Sequence, residues 1–144
     1  MINFDSLNIP LPKIDFDKVV IWLNVIAYSH HKILGRLNYL FCDDQEILRV
    51  NREFLHHDYY TDIITFDYSR KEKVSGDIFI SLETVYSNAI ELGEEYTQEL
   101  LRVIVHGLLH LCGIDDKGPG EREIMEKHEN DALSLWNNNS LPKS

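Results

Sequence analysis

Residues 100–111 read Leu-Leu-Arg-Val-Ile-Val-His-Gly-Leu-Leu-His-Leu, and no other stretch constrains the fold so tightly. A helix over this segment carries Leu100, Leu101, Val103, Ile104, Val105, Leu108, Leu109 and Leu111 nearly all round its circumference, so it is a buried helix. Two imidazoles interrupt it. At about 3.6 residues per turn, a spacing of four places His106 and His110 on one face, a turn apart. Burying imidazoles without partners is costly, and a coordinated metal ion removes that cost. Gly113 can take a positive φ and end the helix, so that the chain folds back and offers Asp115 or Asp116 as a third ligand. Two neutral imidazoles and a carboxylate leave one tetrahedral position open on a divalent ion, which is how catalytic zinc is held. Two hydrogen-bonded core histidines are the competing reading, and the glycine and acidic pair at fixed offsets weigh against it.

Composition bounds the rest. The 144 residues, 44% hydrophobic and 26% charged, suit a single soluble domain spanning residues 1–144. No apolar run reaches the roughly eighteen residues of a membrane span, and Met1-Ile-Asn-Phe-Asp-Ser lacks the basic start and apolar core of a signal peptide. The expectation is a cytoplasmic protein with no membrane partner. Cys42 and Cys112 stand far apart in no metal or redox spacing and read as reduced, buried thiols. Cys112 lies about 200° round the helix from His110 and is not counted as a ligand. A net charge of −10 argues against a phosphate-binding surface, softened only by the local clusters Lys32 with Arg36 and Arg70, Lys71 with Lys73. Acidic residues gather in the C-terminal third.

The pattern along the chain predicts an α+β layer of about four strands with four or five helices. Residues 2–8 form a first strand, and Asp15 or Asp17 caps a helix running to about Lys32. A strand follows over Arg36–Phe41, then a helix from Gln45 to about His56 capped by Asp43 or Asp44. Asp62–Tyr68 and Gly76–Ser81 are β-rich, joined through Ser69–Ser75 as a hairpin or a longer excursion. Helices are predicted over Glu83–Leu92, Thr97–Cys112 and Pro119 to about Trp136, with proline at a helix start and a frayed tail over Asn137–Ser144.

Three motifs in this order carry a resemblance: Asn51-x-x-Phe54-x-x-x-Asp58-x-x-Thr61-Asp62-Ile-Ile-Thr-Phe66, Gly76-Asp77-Ile78-Phe-Ile80, and His106-Gly-x-x-His110-Leu-x-Gly113-x-Asp115. Together they resemble the YbeY family of bacterial rRNA maturation factors. The resemblance implies a zincin-like metal helix and a zinc-dependent, single-strand-specific endoribonuclease. Its partner would be the small ribosomal subunit, and its target single-stranded rRNA, including the 3′ end of the 16S rRNA. Two positions depart from the family pattern. Asp116 stands where the family typically has a third histidine ligand, and a carboxylate there keeps zinc binding possible while favouring harder divalent ions. Leu55 stands where the family tends to carry an arginine, a natural phosphate clamp; Arg52, His56 or His57 are the candidates to replace it.

The metal ligands read from the sequence are therefore His106, His110 and Asp116, and the general base is not legible. A bound ion would activate water or assist a neighbouring 2′-OH. Asp62 and Asp77 are candidates to accept a ring N–H from one of the histidines and fix its tautomer. Two other functions are weighed: a ribosome-assembly factor whose metal is structural, and a zincin-type peptidase. Gly107 stands where a zinc peptidase has its glutamate, which makes that last reading the weakest.

Overall fold

The structure is a computed structural model and describes residues 1–142. Its four strands are β1 (Ile2–Ser6), β2 (Ile33–Cys42), β3 (Ile63–Asp67) and β4 (Lys73–Ser81). They lie in the order β1-β2-β4-β3, with β1, β2 and β4 parallel and β3 antiparallel to β4. Five helices complete the α+β fold: α1 (Phe16–Ser29), α2 (Asp44–Leu55), α3 (Leu82–Leu92), α4 (Tyr96–Leu111) and α5 (Glu121–Asn137). None of them is long and apolar enough to cross a membrane.

Caps set the helix boundaries. Asp15 accepts from the Lys18 amide at 3.1 Å and Asp43 from the Glu46 amide at 2.9 Å, so each is the N-cap. Helix α1 stops before the predicted Lys32 because the chain turns at His30 and His31, the latter left-handed at φ 60°. Strands β2 and β4 start earlier than the alternation suggests. A register shift between Leu34 and Leu37 breaks the period, yet Ile33 still pairs Lys73 and Leu34 still pairs Val74. The Ser69–Ser75 connection is a hairpin, closed by an Arg70–Lys73 bridge.

Alternation along the strands sorts side chains onto two faces. Leu37, Tyr39, Phe41, Ile78 and Ile80 are fully or almost fully buried in the main core with α1, α4 and α5. Each such side chain contributes about 1.5–3 kcal/mol of burial. Buried polar tips are matched: Tyr39 Oη donates to the Ile104 carbonyl at 2.8 Å, and Trp22 Nε1 to the Ala132 carbonyl at 2.8 Å. On the opposite face α2 covers a smaller core of Cys42, Ile47, Val50 and Ile64, with Phe66 and Phe79 against it.

Helix α4 is the buried helix the sequence demands, lying on the sheet and flanked by α3 and α5. Gly107 explains how closely it lies. A Cβ there would stand 3.0 Å from Ile63 Cδ1 and 3.1 Å from Ile78 Cδ1, so the missing side chain admits the sheet and not substrate.

Two expectations about the C-terminal part are corrected. Pro119 does not open α5, which starts at Glu121 after a turn at Gly120 (φ 76°). Asn137–Pro142 is not frayed: the Asn138 amide caps onto the Ser134 carbonyl at 2.9 Å, and Leu141 packs against the main core. Lys143 and Ser144 lie outside the described residues.

Candidate metal centre and substrate groove

The apolar stripe of α4 faces the sheet, which turns His106 and His110 toward a groove of about 820 Å³ between the β3 edge, α4 and α5. His106, His110 and Asp116 all line it. Gly113 adopts φ 101° just past the helix, and the loop it starts brings Asp116 back beside α4. His106 Nε2 stands 3.3 Å from Asp116 Oδ2.

The other side of the His106 ring decides what that approach means. Nδ1 is 2.7 Å from Glu129 Oε2, a short hydrogen bond to a carboxylate that is 8% exposed. A carboxylate can only accept, so a proton sits on Nδ1; where the ring carries only that proton, Nε2 presents a lone pair toward Asp116, and where it carries a second, Nε2–H donates to Asp116 instead. That lone pair and the Asp116 carboxylate are both acceptors, and a cation between them satisfies both. Two donors about 2.0–2.2 Å from a tetrahedral ion stand about 3.3–3.6 Å apart, which is the separation observed here. Burial pulls the His106 pKa down. The Glu129 hydrogen bond, with the charges of Glu129, Asp116 and Asp62, outweighs that and leaves it raised.

The donor chemistry fits a divalent ion, and the placement fits for two of the three groups. His110 is half-exposed, with Nδ1 4.0 Å from Asp115 Oδ1, so Asp115 stands beside His110 while Asp116 stands beside His106. Among the described residues no three His, Cys, Asp or Glu side chains are gathered tightly enough to hold an ion as they stand.

The carboxylate that bonds a histidine ring is Glu129, where Asp62 or Asp77 was expected. Asp77 lies on the sheet face away from α4, where it accepts from Asn38 Nδ2 at 2.9 Å, and Asn38 in turn accepts from Asn3 at 2.9 Å. Asp62 does line the groove, with Asn88 Nδ2 3.4 Å from its carboxylate. Burial raises its pKa, partly offset by His106. His57 also lines the groove, beside Leu55. Arg52 is an exposed partner of Asp58 and does not line it.

Sequence reasoning missed Glu129, Glu99 and Arg102. Arg102 Nη1 donates to Glu129 Oε1 at 2.9 Å and its Nη2 to Asn130 at 2.7 Å, so one carboxylate ties α4 to α5 and holds His106 as well. The available signal was a lone glutamate on the face of α5 formed by Met125, Ala132 and Leu133, all buried. Glu99 is 5% exposed with Oε1 unpartnered, and burial, then the Asp62 charge, raises its pKa. The groove as a whole is acidic: Asp62, Glu94, Glu99, Asp116, Glu126 and Glu129 face Arg102, Lys117 and Arg122.

Residues 9–137 match the family described as Endoribonuclease YbeY. A Bacteroides thetaiotaomicron protein of that name is 52% identical over 134 residues, which cover 93% of this chain and 98% of the relative. One from Parabacteroides distasonis is 56% identical over 134 residues, covering 93% and 94% of the two chains. The fold is also similar to a solution structure of a Thermotoga maritima protein, at TM-score 0.67 and 27% identity over 96% of this chain and 93% of that one. With nearly its whole length matched, including the strands and helices that line the groove, the chain belongs to the YbeY endoribonuclease family.

Proposed function

We propose that the protein is a metal-dependent endoribonuclease that cuts single-stranded RNA, acting in the cytoplasm on small-subunit rRNA during its late maturation, including the 16S 3′ end. The observation that carries the reading is the His106 ring, held by Glu129 on one side and facing Asp116 at 3.3 Å on the other. His106, His110 and Asp116 would hold the ion, with zinc the first candidate. When bound, that ion supplies an acidified water and a positive charge beside a phosphoryl oxygen.

The remaining chemistry belongs to the chain. Glu129 keeps the proton on His106 Nδ1 and so keeps Nε2 available. The carboxylates of the groove repel a phosphodiester in the absence of a cation, which makes the groove selective for the loaded protein. Lys117 and Arg122 stand exposed at its rim to meet phosphates. Asp62, whose pKa burial raises, lines the same groove and is the candidate to exchange a proton with a bound substrate. The two basic clusters meet in space, with Lys32 Nζ 3.5 Å from the Lys71 carbonyl on the hairpin before β4. This cluster of basic residues, with Glu72 among them, is a candidate place for RNA phosphates despite the net charge of −10.

The test is elemental analysis of the purified protein beside His106→Ala and Asp116→Ala variants, followed by cleavage of single-stranded RNA with and without chelator. About one ion per chain, lost in both variants together with cleavage, is the expected result. RNA that survives the fully loaded protein, alongside a chelator-induced fall in Tm, would establish the structural-metal assembly factor instead.

A further inference from the structure

We propose that His57 and Tyr59 form a stacking platform for one unpaired nucleobase at the rim of the groove. The proposal rests on the endoribonuclease reading and names how that site would grip its substrate. The two rings stack on each other with centroids 5.2 Å apart and an interplanar angle of 20°, and Tyr59 Oη lies 3.1 Å from His57 Nδ1. Nothing in the core calls for them: both are exposed, Tyr59 by 53%.

The segment is nevertheless held in place. Helix α2 ends at His56, left-handed at φ 56°, which swings the next residues outward. Asn51, 2% exposed, then ties the segment at two points: its carbonyl accepts the His57 amide at 3.0 Å, and its Nδ2 donates to the Tyr59 carbonyl at 2.9 Å. A pre-positioned aromatic pair presents a flat apolar surface at little entropic cost, and every base has a matching face.

The two rings share the groove with His106 and Asp116. On their wall the neighbouring lining residues Leu55 and Ile64 offer no charge to a phosphate, whereas Lys117 and Arg122 line the groove from the α5 side. Bases therefore turn toward α2, and phosphates are left to Lys117 and Arg122 on the α5 side once a bound cation offsets Asp116, Glu126 and Glu129 there. A base already stacked in a duplex cannot cover the platform, so the same feature selects single strands.

The experiment measures fluorescence anisotropy of a short, labelled single-stranded oligodeoxyribonucleotide, which presents bases and phosphates but is not a ribonuclease substrate, with the zinc-loaded protein. Tyr59→Ala is expected to raise Kd about 5- to 100-fold and Tyr59→Phe to stay within about twofold of the parent protein, with His57→Ala in between. Competition by inorganic polyphosphate, which has no bases, is expected to be unchanged in Tyr59→Ala. Unaltered oligonucleotide binding by Tyr59→Ala, or an equal loss of polyphosphate binding, overturns the platform, as does failure of the parent protein to bind the oligonucleotide. If Tyr59→Ala binds normally while the metal-loaded parent cuts RNA, the platform is wrong and the nuclease reading stands. If binding depends on Tyr59 but the loaded parent never cuts, the platform stands and the nuclease reading falls.

Discussion

Glu129 is the residue whose loss should be felt most widely. Its carboxylate is 8% exposed and accepts from Arg102 Nη1 at 2.9 Å and His106 Nδ1 at 2.7 Å. Charge-assisted hydrogen bonds contribute about 1.5–3 kcal/mol each, and removing one member of a buried ion pair costs about 3–5 kcal/mol. These figures overlap and do not add. Arg102 retains Asn130 at 2.7 Å, and its side chain is 29% exposed, so water recovers part of the loss. Glu129→Ala is therefore expected to cost about 3–5 kcal/mol, or roughly 10–20 °C in Tm for a chain of this size. Glu129→Gln keeps one acceptor oxygen and should cost about half as much. In Glu129→Ala, with His106 Nδ1 left free to exchange tautomers, zinc affinity should fall about 10- to 100-fold. Urea unfolding of Glu129→Ala, Arg102→Met and the double variant gives the coupling between the pair, and zinc titration of the Ala variant gives the second quantity. An alanine variant that unfolds at the parent's urea midpoint, or additive effects of the two substitutions, would refute the account of a shared buried carboxylate.

Gly107→Ala should destabilise by about 1–3 kcal/mol in urea unfolding, because its Cβ would press on Ile63 and Ile78 at 3.0 and 3.1 Å. Asp77→Ala should leave zinc affinity unchanged by calorimetric titration, since Asp77 bonds Asn38 on the far side of the sheet. Glu99→Gln should be increasingly stabilising as pH rises above about 4.5. The unfolded glutamate ionises there while burial keeps the folded one protonated to higher pH, and the benefit levels off once the folded group ionises too. Chemical denaturation of both proteins across that range measures it, and a difference that shrinks with rising pH would contradict the sign.

Element types were legible where period and caps agree. Helix α4 declared itself through an apolar circumference, and Asp15 and Asp43 marked the starts of α1 and α2. Boundaries failed where local pattern is overridden: a register shift hid the first residues of β2 and β4, and packing of Leu141 ordered a tail whose composition suggests fraying. His106, His110 and Asp116 were read as one constellation, and all three line one groove, but the structure puts Asp116 against His106 and leaves His110 apart.

By itself, then, the sequence determined the buried helix, its paired imidazoles and the turn that returns an acidic loop, because helical period and a glycine's freedom are local properties written within about ten consecutive residues. Which carboxylates serve those imidazoles is set across the layers of the fold. Glu129 comes from α5, 23 residues beyond His106, and Asp77, far more prominent in the sequence, is carried to the other face of the sheet by strand alternation. Contact across layers depends on how helices and strands pack, and a single chain's local pattern holds no record of it.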